Sequence, residues 1–371
     1  MIVHEISLEN FRNYKSQTIQ FGDGINVISG KNAQGKTNLI EAVYYLTVGR
    51  SFRHAGDKDL ISFDSESAKI RADIYAFERK QVLEARLFRG RGKELFANGV
   101  KLKRTGELTG RLTSVIFGPD DLNMIKDGAS VRRKLMDQCL SQLRPGYMQA
   151  LAEFHKLYDH KTKILKDYRQ KPALLELLDD YNLRIAQQSA RLIYYRTAFS
   201  AGLSRRAAII HEEFSDGIET LSIRYKTVGR ADFSGMKPEQ ILPSLLEHQC
   251  QHYQAELSSG HCLSGAHKDD LEIEISGAPA RKFASQGQAR TAAVSIKLAE
   301  RDIHFDDKGA YPILLLDDVL SELDAKRQAY ILGKITSGQI MITCCDEEVA
   351  SMVTGGTVMR IEHGKLKPEV S

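Results

Sequence analysis

The 371-residue sequence has no tryptophan, only 8 prolines and only 5 cysteines, and none of its apolar runs is long. The missing tryptophan excludes nothing. The proline count, beside 28 glycines in no repeating pattern, excludes collagen-like and proline-rich disordered chains. The longest uninterrupted apolar runs, such as Ile313–Leu316, fall far short of the ~18 residues a membrane span needs, so no membrane partner is expected. Met1–Asn10 carries His4, Glu5 and Glu9 and lacks an apolar core, so no secretory signal is expected. Cys139, Cys250, Cys262, Cys344 and Cys345 form neither a CxxC pair nor a metal-like cluster. An odd count at this length fits a reducing cytoplasm better than a disulfide scaffold. A large excess of one charge is missing too. Lys plus Arg number 52 against 48 Asp plus Glu, a net +4, so only a local patch can mark a nucleic-acid binder.

The length suggests about two domains at roughly 150 residues each. Hydrophobic residues at 42% and charged residues at 27% fit an ordinary folded chain. Ile2, Ile6 and Leu8 lead an extended segment into Phe11-Arg12-Asn13-Tyr14, Gln17–Phe21 continues it, and Ile25-Asn26-Val27-Ile28 is a short strand running into Gly30. From Thr37 the spacing of Leu39, Ile40, Val43 and Leu46 turns helical. Residues 60–117 read as an antiparallel meander built on Ile70–Tyr75, Val82–Phe88 and Leu95–Val100. From Asp121 to about Gly217 the pattern is helical, with an interruption expected near Gly202. Beyond it come a strand at Leu221–Tyr225, a helix at Pro238–Leu257, a strand at Leu271–Ile275 and a helix near Arg290–Arg301. The strands Ile313–Leu316, Gln339–Thr343 and Val358–Ile361 follow. Short apolar strands alternating with helices predict an α/β fold with a mostly parallel sheet.

Gly30-Lys31-Asn32-Ala33-Gln34-Gly35-Lys36-Thr37 fits G-x-x-x-x-G-K-[ST] at every fixed position, between a strand and a helix. Chance matches in a chain of this length number roughly 0.01–0.02. The glycines let the backbone curl so that its N–H groups face phosphate oxygens, and the helix adds its positive end. Lys36 is expected at the β and γ phosphates, Thr37 on Mg²⁺, and Asn38 on the first helical turn beside them. The apolar strand Ile313–Leu316 ends in Asp317 and Asp318. Asp317 is expected to hold the Mg²⁺ shell, and Asp318 to polarise the water that attacks the γ-phosphate. Ser285-Gln286-Gly287-Gln288 precedes another helix. A second phosphate-holding loop in one chain suggests a composite site, with Ser285, Gly287 and Gln288 clamping a nucleotide held by another subunit; the plainer alternative is an ordinary N-capped helix.

These phrases together resemble the ABC-type head ATPases of the SMC class, and most closely the RecF family of bacterial DNA recombination and repair. Phe11-Arg12-Asn13-Tyr14 matches an opening "FRNY", and Asn32–Leu46 resembles "NAQGKTNLLEAIYLL". Arg50-Ser51-Phe52-Arg53 resembles the basic segment after the first helix, and Phe117–Leu122 the "F-x-P-E-D-L" passage. Leu263–Asp270 resembles "L-x-G-P-H-R-D-D", Ser285–Arg290 the signature "SQGQQR", and Ser321-Glu322-Leu323-Asp324 the D-loop. The resemblance implies an ABC-type P-loop ATPase head with a mixed β-sheet and an inserted helical arm. Residues 1–120 and 258–371 would form the ATPase domain and 121–257 the arm. It implies ATP and Mg²⁺ as cofactors and slow hydrolysis by Asp318, Lys36 and Ser285. It also implies an ATP-dependent homodimer, binding to duplex DNA near single-strand gaps, and work with RecR and RecO proteins to load RecA, in the cytoplasm at the nucleoid. The chain departs from the family at Ala266 and Lys268, where Pro and Arg are usual, at Lys161-Thr162, and at Thr343-Cys344-Cys345, where no histidine stands as γ-phosphate sensor.

Between Lys101 and Gln170 there are 14 Lys or Arg against 8 Asp or Glu. Arg50, Arg53, Arg132, Arg133, Lys134, Lys161 and Lys163 are the expected DNA contacts, to phosphates and without base readout. The rival explanation of these charges is a solvated helix surface. Two other functions remain open on the sequence: a transporter's ATPase subunit, against which the long basic insert argues, and a nucleotide-binding scaffold for repair proteins with little catalysis.

Overall fold

The structure, a computed structural model, describes residues 1–53, 55–229, 232–345 and 356–367. The chain forms two compact units, Met1–Asn123 with Ala293–Ser371, and Met124–Ala292. In the first unit β1 (Ile2–Phe11), β2 (Tyr14–Gln20), β3 (Ile25–Ser29), α1 (Lys36–Val48), β4 (Ser67–Ala76), β5 (Arg79–Phe88), β6 (Glu94–Ala97), β7 (Val100–Lys101) and β8 (Ser114–Phe117) follow in order. The second unit supplies α2 (Ala129–Leu143), α3 (Pro145–Asp167), α4 (Leu178–Phe214), β9 (Leu221–Lys226), α5 (Pro238–Ser259), β10 (Asp270–Ile275), β11 (Ala278–Pro279) and α6 (Ala280–Phe283). The division between units falls inside α7 (Gln286–Lys308); β12 (Ile313–Asp317), α8 (Ala325–Lys334), β13 (Ile340–Cys344), β14 (Thr357–Glu362) and β15 (Lys365–Lys367) complete the first.

The first unit holds two sheets. One has the order β2-β1-β4-β5-β6-β7 and is antiparallel. Its strands alternate, as in β4, where Ala68, Ile70, Ala72, Ile74 and Ala76 are buried between more exposed neighbours. The other has the order β15-β14-β3-β13-β12-β8 and is parallel except for the β15 edge. Its central strands β12 and β13 are buried at every residue, as strands covered on both faces must be. β8 therefore leaves the meander expected over 60–117 and pairs in parallel with β12. Helix α1 packs Leu39, Ile40, Val43 and Leu46 into one core with strands of both sheets.

In the second unit α4 runs unbroken for 37 residues, about 55 Å. No interruption occurs at Gly202: a mid-helix glycine costs only ~1 kcal/mol, and buried Phe199, Leu203, Ala207 and Ile210 supply packing on either side. The insert is not all helix. β9, β10 and β11 form an antiparallel sheet, with Asp270–Ile275 paired along its whole length to Lys226–Leu221. That pairing keeps residues 258–292 in the second unit, and the chain rejoins the first at Ala293 rather than near 258.

Candidate nucleotide-binding site

The phosphate loop leaves β3 at Gly30 and enters α1 at Lys36. Two glycines are required by the space. Gly30 has φ +152° and Gly35 φ +114°; a Cβ on Gly30 would collide with the Ile361 carbonyl oxygen, and one on Gly35 would sit 2.6 Å from Asn13 Nδ2. Ala33 is also left-handed, at φ +63°. α1 starts with no side-chain cap and no acidic residue in its first turn, which leaves its positive end for an anion. Lys36 is buried to 4% exposure, its Nζ donating to the carbonyls of Gly30 at 2.8 Å and Lys31 at 3.2 Å. An ammonium held inside a ring of backbone is aimed where phosphate oxygens would lie.

The loop is braced from outside by the FRNY segment. Tyr14 Oη donates to Gly35 O at 2.9 Å, Asn13 Nδ2 donates to Gln34 O at 2.9 Å, and Asn38 Nδ2 donates to Asn13 Oδ1 at 2.8 Å. Arg12 pairs both of its forks with fully buried Glu41 of α1, at 2.9 and 3.0 Å, and Ser51 Oγ donates to the same carboxylate. From the other side the β14–β15 turn closes on the loop: His363 N donates to Gln34 Oε1 at 2.6 Å and Gly364 N to Gln34 O at 3.0 Å. Sequence reasoning gave none of Arg12, Asn13, Tyr14, Glu41 or Gln34 these bracing roles. The available signal was the polar pair Arg12-Asn13 in the two-residue turn between β1 and β2.

Across from the loop, Asp317 ends β12. Thr37 Oγ1 and Thr343 Oγ1 both donate to Asp317 Oδ1 at 2.9 Å, and Asp318 N donates to Thr343 Oγ1 at 2.8 Å. One hydroxyl thus sets the end of Asp317 and the backbone of Asp318, which turns into the left-handed region at φ +51°. The sequence marked Thr343 only as part of a departure from the family pattern and assigned it no role. Burial pushes the Asp317 carboxyl above its ordinary range, opposed by the hydrogen bonds from Thr343 and Thr37. A hydroxyl beside a buried carboxylate is a hard-oxygen donor pair that fits Mg²⁺, and a cation there would offset the burial. Thr37 and Asp317 would hold it; when bound, Mg²⁺ draws charge from the phosphate oxygens. Asp318 is half-buried beside them and free of the strand, where a carboxylate can orient water and take its proton. Cys345 Sγ, exposed, lies 2.7 Å from Asn32 Oδ1, 3.2 Å from Lys36 Nζ and 3.8 Å from Asp318 Oδ1.

Ser285, Gly287 and Gln288 lie in the second unit, at the start of α7. Gln288 N donates to Ser285 Oγ at 3.2 Å and Ser285 N to Gln288 Oε1 at 2.8 Å, a reciprocal capping box. Ser285 is exposed.

The basic residues separate by burial. Arg50 and Lys163 are exposed, and Arg133 and Lys134 are half-buried. Arg53 is exposed and donates to Asn38 Oδ1 at 3.3 Å, which places it beside the nucleotide loop. Arg132 and Lys161 do not fit the expectation of DNA contact. Arg132 is 3% exposed and pairs both forks with Asp270 at 2.7 and 2.9 Å. Lys161 is 0% exposed and pairs with Glu256 at 2.6 Å. A cation removed from water and neutralised this way is part of the arm's interior.

A phosphate loop on one parallel strand, facing a carboxylate pair on another in the same sheet, is the site of a P-loop ATPase, and the mixed sheet with its inserted helical unit makes it an ABC-type head, with ATP and Mg²⁺ as its cofactors. Residues 2–366 match the family described as RecF/RecN/SMC N terminal domain. The chain is similar to the DNA replication and repair protein RecF of Acetivibrio thermocellus, 37% identical over 368 residues that cover 98% of this chain and 99% of that protein. It is similar to a solved structure of the recombination mediator protein RecF with ATPrS, in the RecFOR pathway: TM-score 0.92, 34% identity, 99% of this chain and 97% of that one. The Smc head domain from Pyrococcus furiosus shares the fold, with TM-score 0.55 at 17% identity over 98% of this chain and 95% of that one. The chain belongs to the RecF family, bacterial ATPases of DNA repair and recombination with weak ATPase activity.

Proposed function

We propose that the chain is an ATP-switched clamp of DNA repair and recombination. With ATP and Mg²⁺ two copies join, grip duplex DNA near a single-strand gap, hydrolyse ATP slowly through Asp318, and help RecR and RecO proteins load the RecA recombinase in the cytoplasm. The observation that carries this reading is the division of labour between the units. Loop, Thr37, Asp317 and Asp318 converge in one, while the capped, exposed Ser285 belongs to the other and suits a nucleotide held by a second copy. Arg50, Lys163, Arg53, Arg133 and Lys134 are the proposed DNA contacts, acting on phosphates without base readout.

No described helix is long and apolar enough to cross a membrane. The deciding experiment is a gel-shift titration on gapped, duplex and single-stranded DNA, with and without ATP and Mg²⁺, beside sedimentation of the protein. ATP is expected to produce a dimer and to tighten binding to the gapped duplex. A monomer that ignores ATP and DNA, or co-purifies with a membrane protein, would overturn the reading.

A further inference from the structure

The signature helix is tied by side chains to the far end of the arm's longest helix. The capping box uses Oε1 of Gln288 as the acceptor for Ser285 N. The other end of that amide, Nε2, donates to Glu219 Oε1 at 2.8 Å. The second oxygen of Glu219, Oε2, lies 3.2 Å from Nε2 of His211, which is fully buried in the last turn of α4. Glu219 is itself fixed in the turn after α4, where its N–H donates to Ser215 Oγ at 3.2 Å. All five residues lie in one compact unit.

We infer that Glu219 is a positioning residue for the ATPase reaction: it holds Gln288 so that the exposed Ser285 is presented to the nucleotide of a second copy, and it links that presentation to helix α4. An amide at the third helical position can cap only while its rotamer is held, and a carboxylate gripping the opposite end of the amide fixes which way it faces. The negative charge also sits near the start of α7, where the helix dipole favours it. Displacement of α4 at His211 would move Glu219 and with it the cap. This inference rests on the clamp reading above.

The test compares Glu219→Ala and Glu219→Gln with the unaltered chain. Three quantities are measured: binding of a fluorescent ATP analogue at protein concentrations where the chain is monomeric, ATP-dependent dimer formation by sedimentation, and kcat and KM for hydrolysis. For Glu219→Ala the monomer is expected to bind nucleotide as before, because the loop, Thr37 and Asp317 are untouched. Its dimer should need about five- to tenfold more protein to form, and kcat should fall by a similar factor with KM little changed. Glu219→Gln keeps an oxygen to accept from Gln288 and should restore both. The assignment is overturned if Glu219→Ala dimerises and turns over like the unaltered chain. It is overturned equally if Glu219→Gln is as poor as alanine, or if nucleotide binding by the monomer falls with dimerisation. If the unaltered chain stays monomeric with ATP, the clamp reading fails and the role of Glu219 falls with it.

Discussion

Tyr14 reaches out of a fully buried ring to donate to the carbonyl of Gly35 at 2.9 Å, the last backbone group before the phosphate-binding helix. Burial pushes this phenol far above its ordinary range, so it stays a neutral donor at any working pH. Tyr14→Phe keeps the packing and removes only the bond. The expected cost in stability is about 1 kcal/mol, one net hydrogen bond, because the Gly35 carbonyl keeps the Leu39 N–H at 3.0 Å as a second donor. ATP affinity should fall about three- to tenfold as the turn at Gly35 loosens. Paired thermal melts and nucleotide titrations check both; unchanged affinity would show that the loop holds its shape without the brace.

The two adjacent aspartates should separate cleanly. Asp317→Asn should shift the Mg²⁺ dependence of ATP binding to higher concentration, since Thr37 and Asp317 are the hard-oxygen pair. Asp318→Asn should leave nucleotide binding intact, slow hydrolysis by about a hundredfold or more, and prolong the ATP-bound dimer. Chelating Mg²⁺ should mimic the first variant and not the second. If Asp318→Asn neither slows turnover nor lengthens the dimer's life, the water-orienting role belongs to another group.

Much of this site was legible because its parts are consecutive in the chain. The phosphate loop is one run of eight residues, and Asp317 announces itself by closing the apolar run Ile313–Leu316. The braces were not legible. Tyr14 and Gly35 are 21 residues apart, and Arg12 and Glu41 are 29 apart. A cation's fate depends in the same way on a distant partner. Arg132 and Arg133 are neighbours in sequence, yet Asp270, 138 residues from Arg132, takes both forks of its guanidinium. Local pattern gave the helices and strands, while pairing across the chain decided which charges left water.

Cys345 offers a chemical probe of the loop. Cys345 and Cys250 are exposed, whereas Cys139, Cys262 and Cys344 are buried, and burial further pushes the Cys262 thiol up to about 11. A maleimide should therefore label two sites under native conditions. ATP with Mg²⁺ should protect Cys345, whose sulfur lies 3.2 Å from Lys36 Nζ, and leave Cys250 reactive. Peptide mapping after labelling reads the result. Equal protection of both thiols would point to a global change instead of occupancy of the loop.

His267 should impose an acid-side loss of stability on the second unit. Burial lowers its pKa from 6.5 to about 4; the Cys262 carbonyl opposes this, while Lys268, Arg133 and Lys161 add to it. The ring also lies 4.7 Å from that of Tyr158. Because the folded pKa is below the unfolded one, the unfolded chain binds more protons between about pH 6.5 and 4, so stability falls as pH drops through that window. The contribution is about 3 kcal/mol. His267→Gln should flatten this part of the slope without removing it, because His211 and His248 of the same unit, both lowered by burial, remain. Urea midpoints at several pH values distinguish the two chains.

The basic residues should divide into two phenotypes. Arg50→Glu with Lys163→Glu should leave the melting temperature nearly unchanged, since both side chains are exposed. It should weaken DNA binding uniformly across sequences and reduce the slope of log affinity against log salt, by ~0.9 for each phosphate that is no longer neutralised. Lys161→Ala should do the reverse. It leaves Glu256, 1% exposed, without its counter-cation and held only by the N–H groups of Leu263 and Ser264, at a cost of about 3–5 kcal/mol. Any loss of DNA binding by that variant should then track the unfolded fraction and vanish when corrected for it. A soluble, fully folded Lys161→Ala protein with a reduced salt slope would return Lys161 to the DNA interface, against its burial.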